Sequence, residues 1–184
     1  MNAATGHFVS TGDIATALKT QVQAVKLADN ATAAFQRVEM FDSESLLEAF
    51  QILLISEQRI CLIVPLTENW QTEVQTRKLI TRRTVNFALI ISDRIIGKRS
   101  TALYGDGTAA TPGAHKLVAF TLPQVTGQLL PNPNGVVSTP KLADVMIVKN
   151  EKEKQDLPGR AAVMLELECK GGWIEAPLAA GVTL

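Results

Sequence analysis

Apolar residues recur at helical spacing near the start of the chain. Four of them fall on one face of a helix: Ile14, Leu18, Val22 and Val25. Thr11 can cap this helix at its start. The pattern predicts a helix over residues 11–27, after a small, polar N-terminal arm over residues 1–10.

Two segments have the patterns of buried strands. Every residue from Ile60 to Val64 is apolar, so both faces should be covered, as in a central strand. Pro65 is expected to end this strand, because proline cannot donate a backbone hydrogen bond. Between Thr81 and Ser92 the large apolar residues at 85, 87, 89 and 91 alternate with Thr84, Asn86, Ala88 and Ile90, and this period of two predicts a long strand.

The other segments complete a mixed order of helices and strands. They are a strand over 35–41, a helix over 43–54, a polar stretch over 67–78, a loop over 94–113, a helix over 112–130 that Thr111 caps and Pro123 kinks or splits, and two strands over 145–148 and 161–169. The last two strands form a hairpin through an exposed, charged connection.

The order α-β-α-β-β-α-β-β predicts an α/β (α+β) fold, with a mixed, mostly antiparallel sheet flanked by helices. One domain over residues 11–170 would carry it, followed by a C-terminal tail over residues 171–184. The length of 184 residues and the hydrophobic fraction of 46% suit one domain with its own core.

Charge and cysteine content narrow the functional classes. Lys+Arg and Asp+Glu number 18 each, and this balance argues against a dedicated nucleic-acid binder. It also leaves little repulsion between copies of the chain. Cys61 and Cys169 lie in strand-like runs and are expected to be small buried side chains. The N-terminus has no signal-peptide pattern and no apolar run could span a bilayer, so synthesis in the cytoplasm and no membrane partner are expected.

Chemistry-bearing motifs are scarce. Neither His7 nor His115 has a partner at metal-ligand spacing, so no metal or cofactor is predicted. The segment 97–101 lacks both the leading glycine and the hydroxyl residue of a phosphate-binding loop. Four carboxylates surround the predicted second helix: Glu39, Asp42, Glu44 and Glu48. A helix dipole alone favours acidic residues there, so no catalytic residue is assigned and the chain is expected not to be an enzyme.

Charged strand ends and the tail supply candidate assembly contacts. The basic candidates are Arg82 and Arg83 at the head of the long strand, and Arg94, Lys98 and Arg99 beyond its end. The acidic candidates, in the charged connection, are Glu151, Glu153 and Asp156. These groups are either solvated or paired with an adjacent subunit, where such pairs set register. The apolar tail either packs on its own domain or docks on a neighbour, with Trp173 and Leu178 as candidate contacts.

The order of elements resembles the tail terminator (tail completion) proteins of long-tailed phages, which include minor tail protein U of lambdoid phages and the Mu-like equivalents. The resemblance lies in the opening helix 11–27, the strand-helix-strand unit 35–64, the long strand 83–92 with its basic start, the helix 112–130 and the closing hairpin 145–169. It covers roughly residues 11–170. The loop 94–113, the proline in the third helix and the tail depart from the family's pattern.

The resemblance implies a homo-oligomeric ring, usually a hexamer, located at the tail or neck of the virion. Such a ring caps the tail tube, stops tube polymerisation and presents a surface to the head–tail connector or stopper protein. Genomic DNA would pass through the lumen without sequence readout, and no cofactor is implied. A head–tail stopper or other neck protein is the near alternative. A small enzyme using the carboxylates at 39–48, or an adaptor that binds a peptide at a sheet edge, are alternatives of other classes.

Overall fold

Long paired strands organise the chain, whose computed structural model describes residues 5–41, 59–75, 78–94, 99–108, 111–127, 140–147 and 160–177. The elements are β1 (Thr5–Phe8), α1 (Thr11–Gln23), β2 (Arg37–Met40), β3 (Arg59–Gln75), β4 (Lys78–Arg94), α2 (Arg99–Tyr104), α3 (Ala114–Val125), β5 (Lys141–Ile147) and β6 (Arg160–Pro177). The predicted helix over 43–54 lies outside the described residues.

The strands form one six-stranded sheet in the order β1-β6-β4-β3-β2, and β5 also pairs with β6. β5 and β1 lie on the same side of β6, β5 beside its first half and β1 beside its second half. All pairings are antiparallel except that of β2 with β3. The predicted class, a mixed and mostly antiparallel sheet with helices, is confirmed.

The core lies on both faces of the sheet because β4 alternates its side chains between them. Phe87, Leu89 and Ile91 pack with α1, α3 and β6 on the helix-side face. Ala88 and Ile90 belong to a second buried cluster on the opposite face. The run 60–64 is at most 1% exposed, which confirms that this segment is a central strand.

The first helix buries the predicted apolar face but starts and ends differently. Ser10, rather than Thr11, is the N-cap, and its Oγ accepts a hydrogen bond from the Asp13 amide at 3.0 Å. The helix ends at Gln23, and the predicted end at residue 27 is wrong. Backbone hydrogen bonds between residues 25–27 and 32–34 draw the following residues into a turn instead.

The prediction that Pro65 ends its strand is wrong. β3 continues to Gln75, and the ladder with β4 shifts register between Pro65 and Glu68. Such an irregularity accommodates a residue that lacks an N–H group. The polar stretch after Pro65 is therefore strand, and it forms a long hairpin with β4.

The segment predicted as a loop over 94–113 contains the short helix α2. The N-cap of α3 is Gly113, not Thr111, and no side chain caps this helix. The helix runs through Pro123 and ends at Val125, so the proline does not split it. Gly113 adopts φ +80°, and a Cβ there would lie 2.2 Å from the Gly105 nitrogen. The start of α3 thus depends on close backbone contact between two glycines.

Segments near both ends of the sequence, residues 5–8 and 172–177, take part in the sheet. Residues 5–8, in the predicted N-terminal arm, pair with residues 172–175 of β6. The predicted start of the tail at residue 171 falls inside β6, which extends to Pro177. Among the described helices, none is long and apolar enough to cross a membrane.

Asp93 fastens the start of α3 to the end of β4. Its Oδ2 accepts a hydrogen bond from the Gly113 amide at 3.0 Å, and the residue is fully buried. Burial raises the pKa of this carboxyl to about 6, although the Gly113 amide and the nearby Arg59 and Arg160 favour its charged form.

Substitution of Gly113 by alanine tests the close contact with Gly105. Gly113→Ala forces both a rarely allowed backbone conformation and a backbone clash, so we expect a loss of more than about 4 kcal/mol in the free energy of unfolding. Gly107→Ala is the matched control, because Gly107 has φ +89° and open space around it. The control should lose about 1–2 kcal/mol. Equal losses in urea unfolding would refute the clash.

Asp93 predicts a specific pH dependence of stability. Its folded pKa lies above the unfolded value, so the folded state binds more protons between about pH 4 and pH 6. Stability contributed by this group is full below about pH 4 and is lost as the pH rises through 6. The unfolding free energy of the wild type minus that of Asp93→Asn should therefore fall by about 2–3 kcal/mol across this window. A difference that stays constant or rises with pH would contradict the shift.

Candidate assembly surface

At one end of the sheet, most of the side chains that the structure describes are exposed or partly exposed on both faces. This end consists of residues 66–75 of β3, 78–84 of β4 and 170–177 of β6, together with β1, and is called the sheet extension below. Exposure rises sharply along β3: residues 60–64 are buried, whereas residues 67–75 are exposed or partly exposed. The same ladder of backbone hydrogen bonds runs through both halves, so the extension continues the core sheet without a break other than local register shifts.

The helix-side face of the extension carries an apolar patch. The ladder places Trp70 opposite Arg83, and Val74 opposite Leu79, while Ile174 lies beside Thr81. We call Trp70, Val74, Leu79 and Ile174 the apolar patch. Trp70 is 49% exposed, Val74 40% and Ile174 37%.

Two threonines cross the middle of this patch. The hydroxyls of Thr72 and Thr81 lie 3.0 Å apart and form a hydrogen bond with each other. Because the two polar groups satisfy one another, covering the patch would leave these hydroxyls partnered. From Arg83 to the tip of the hairpin, the helix-side face carries no charged residue among the described residues: its two rows are Thr72, Thr81 and Ile174, then Val74, Leu79 and Ala176.

The opposite face of the extension is charged, and it carries two ion pairs besides the exposed Lys170. Glu73 forms an ion pair with Arg82, and Lys78 forms one with Glu175. Both pairs join neighbouring strands and are partly exposed. Trp173, 38% exposed, lies beside Arg82 on this face. The two faces therefore differ: one is largely apolar, and the other carries charged side chains, most of them in ion pairs.

A buried arginine fastens the extension to the core. Arg83 is 4% exposed, and its guanidinium donates to the Val9 carbonyl at 2.6 Å, to Thr11 Oγ1 and to both carboxylate oxygens of Glu68. It also lies over the Trp70 ring, 5.5 Å from the ring centre. Hydrogen bonds from Arg83, and then from Thr11, lower the pKa of Glu68.

Gly171 makes room for this arginine. A Cβ at Gly171 would lie 3.0 Å from the Arg83 Cγ, and the ladder between β4 and β6 shifts register at this point. The arginine stem therefore passes directly over the glycine backbone. One side chain links the hairpin, the start of α1 and the residues that follow β1.

The predicted contact residues lie in several different parts of the chain. Arg82 and Trp173 are brought together as register partners on the extension, whereas Arg94 lies at the other end of β4, roughly 40 Å away. Arg83, also a candidate contact, is buried, and its guanidinium is bonded within the chain. Arg99 begins α2, and its side chain is not described. Five others lie outside the described residues: Lys98, Glu151, Glu153, Asp156 and Leu178.

The apolar patch is not predicted from the sequence, because the strand that begins near Ile60 is expected to end at Pro65. The sequence does carry a signal: Trp70, Thr72 and Val74 lie at every second position, which is the period of a strand, and the more polar Gln71 and Glu73 lie between them. The partners across the sheet, Leu79 and Ile174, are almost a hundred positions apart in sequence, and only strand pairing brings them together.

Of the four carboxylates considered for catalysis, Glu39 alone lies within the described residues. Glu39 forms an ion pair with Arg37 at 2.6 Å, whereas Asp42, Glu44 and Glu48 lie outside the described residues. His115 stacks on Tyr104, with ring centres 5.3 Å apart. Among described residues, no group of three or more His, Cys, Asp or Glu could hold a metal ion.

The sequence matches no family model and no curated protein. A chain in the solved structure of the virion of a native gene transfer agent (GTA) particle is similar to it, with a TM-score of 0.42 and 14% sequence identity. The alignment covers 88% of this chain and 96% of that chain.

The two Glu–Arg pairs of the extension predict unequal effects on stability. Glu68→Ala removes the carboxylate from a buried guanidinium, so we expect a loss of about 3 kcal/mol in the free energy of unfolding. Glu73→Ala on the same strand is the matched control, because its partner Arg82 can hydrate, and it should lose at most about 1 kcal/mol. Chemical unfolding measures both. Similar small losses would mean that Arg83 does not depend on Glu68.

Proposed function

We propose that this protein is a structural subunit of a phage-like virion, and that copies assemble through the sheet extension into a ring that caps the tail tube. The observation that carries the proposal is the apolar patch on a rigidly held extension. Trp70, Val74 and Ile174 expose large apolar side chains there, and the charged side chain in the row of Trp70, Arg83, is buried.

Covering this patch would stabilise an assembly. Removal of apolar surface from water contributes about 25 cal/mol per Å², and a single tryptophan can bury about 150–250 Å². The extension is already ordered by its ladder and by Arg83, so little conformational entropy would be lost on association. A monomer would keep this surface exposed, which favours a partner surface as its natural environment.

The finer role follows the resemblance in element order to tail terminators. The ring would end tube polymerisation, bind the tail tube protein on one side and the head–tail connector or stopper on the other, and let genomic DNA pass through its lumen. The work would be assembly rather than catalysis. A stopper or neck protein would use the same surface, and the two roles differ in the protein that the ring binds.

Size measurement and imaging test this proposal directly. Light scattering after gel filtration and negative-stain images of the purified chain, alone and with tail tube protein, should give a closed oligomer that binds tube ends. A chain that stays monomeric at high concentration in both conditions would overturn the proposal. Binding to a connector ring but not to tube ends would favour the stopper role.

Charges placed in the apolar patch should prevent assembly without unfolding the chain. Val74→Asp and Ile174→Asp would each bury an unpaired carboxylate in the interface, and we expect the dissociation constant of the oligomer to rise at least a hundredfold. Tyr104→Asp is the matched control, because Tyr104 is 66% exposed on α2, away from the extension. Sedimentation measures assembly, and circular dichroism checks the fold. Unchanged assembly of both patch variants would exclude this surface.

A further inference from the structure

We infer that copies join edge to edge: β1 of one copy pairs with the outer edge of β3 in the next, over the rows of the extension. This inference rests on the proposed assembly and specifies its contact. The result is one continuous sheet that runs from copy to copy through backbone hydrogen bonds.

Within the described residues, both edges of the extension are open. β2 pairs with β3 only at residues 60–63, and among the described strands none pairs with residues 66–75 on the side away from β4. On the other side of the extension, none of the described strands pairs with β1 except β6. Open edges expose unpaired N–H and C=O groups that a further strand can satisfy.

The strand directions suit a head-to-tail contact. β3 is antiparallel to β4, β4 to β6 and β6 to β1, so the two open edges run in opposite directions. Rotation about an axis along the strands preserves these directions. β1 of one copy therefore meets β3 of the next as an antiparallel neighbour, and repetition of this heterologous contact closes a ring.

The edges also lie at the same level of the sheet. Gln71, Arg82, Trp173 and His7 share one row through their register partners. β1 thus lies level with residues 70–73 of β3, on the opposite edge of the same four-stranded sheet. Neighbouring copies can meet without displacement along the strands.

Neither edge carries the charges that usually protect a free strand. Residues 5–8 include no Lys, Arg, Asp or Glu. Residues 66–75 include only two charged side chains, Glu68 and Glu73, and both pair inward with arginines of β4. Approach of another strand would meet no uncompensated charge on the described side chains of β3.

Disulfide cross-linking between variants that each carry one introduced cysteine tests this contact. We would mix tagged His7→Cys with Asn69→Cys, Gln71→Cys or Glu73→Cys in turn, under mild oxidation. The native Cys61 and Cys169 are buried, and burial raises the pKa of the Cys61 thiol, so they should stay silent. As a control for random collision, His7→Cys is mixed with Tyr104→Cys instead of a β3 variant.

The expected result is a heterodimeric cross-link between position 7 and at least one of the β3 positions, and a ladder of oligomers when both cysteines are in one chain. Backbone amides within residues 66–75 should also gain at least tenfold protection from hydrogen exchange on assembly. Self-cross-linking of Gln71→Cys alone would mean that two β3 edges meet around a twofold axis, which overturns the inference. Rings without cross-links at any position and without new protection would overturn the edge contact but leave the proposed function, whereas the absence of rings would overturn the function itself.

Discussion

The structure depends on the pairing of β4 with both of its neighbours. This strand is bonded to β3 on one side and to β6 on the other along almost all of its length. In its buried half the ladder positions Phe87, Leu89 and Ile91 against the helices. In its exposed half little core lies behind the strands, so the ladder, two cross-strand ion pairs and Arg83 keep them together. Backbone hydrogen bonding thus extends a sheet farther than the hydrophobic core can reach.

Arg83 lies at the junction of these two halves. A buried guanidinium would be costly without acceptors, and the fold supplies them from three distant segments. The Glu68 carboxylate comes from the hairpin, the Val9 carbonyl from the turn after β1, and the Thr11 hydroxyl from the start of α1. The same side chain that was first considered for contact with another subunit holds the extension in place within its own chain. Its role is to make the exposed surface rigid.

The two faces of the extension have different physical characters, and this difference supports an assembly role. Ion pairs on the opposite face compensate each other and need no partner. The apolar patch has no such internal compensation, because its side chains can leave water only if something covers them. An ordered surface with one apolar face and two open edges has the properties of a subunit contact. Stability within the chain and association between chains would then depend on the same continuous ladder.

The sequence by itself determined the strand pattern of the centre, the apolar face of the first helix and the class of the fold. Period-two alternation from Thr81 to Ser92 and the apolar run from Ile60 to Val64 are local patterns. Such patterns can be recognised in the sequence without knowing which strands pair. Only the tertiary structure decided that β3 continues past Pro65, because the register shift that accommodates a proline depends on the neighbouring strand. It also decided that Arg83 is buried and that Val74, Leu79 and Ile174 form one patch. These outcomes come from residues far apart in sequence, whose proximity arises from strand pairing and leaves no periodic trace along the chain.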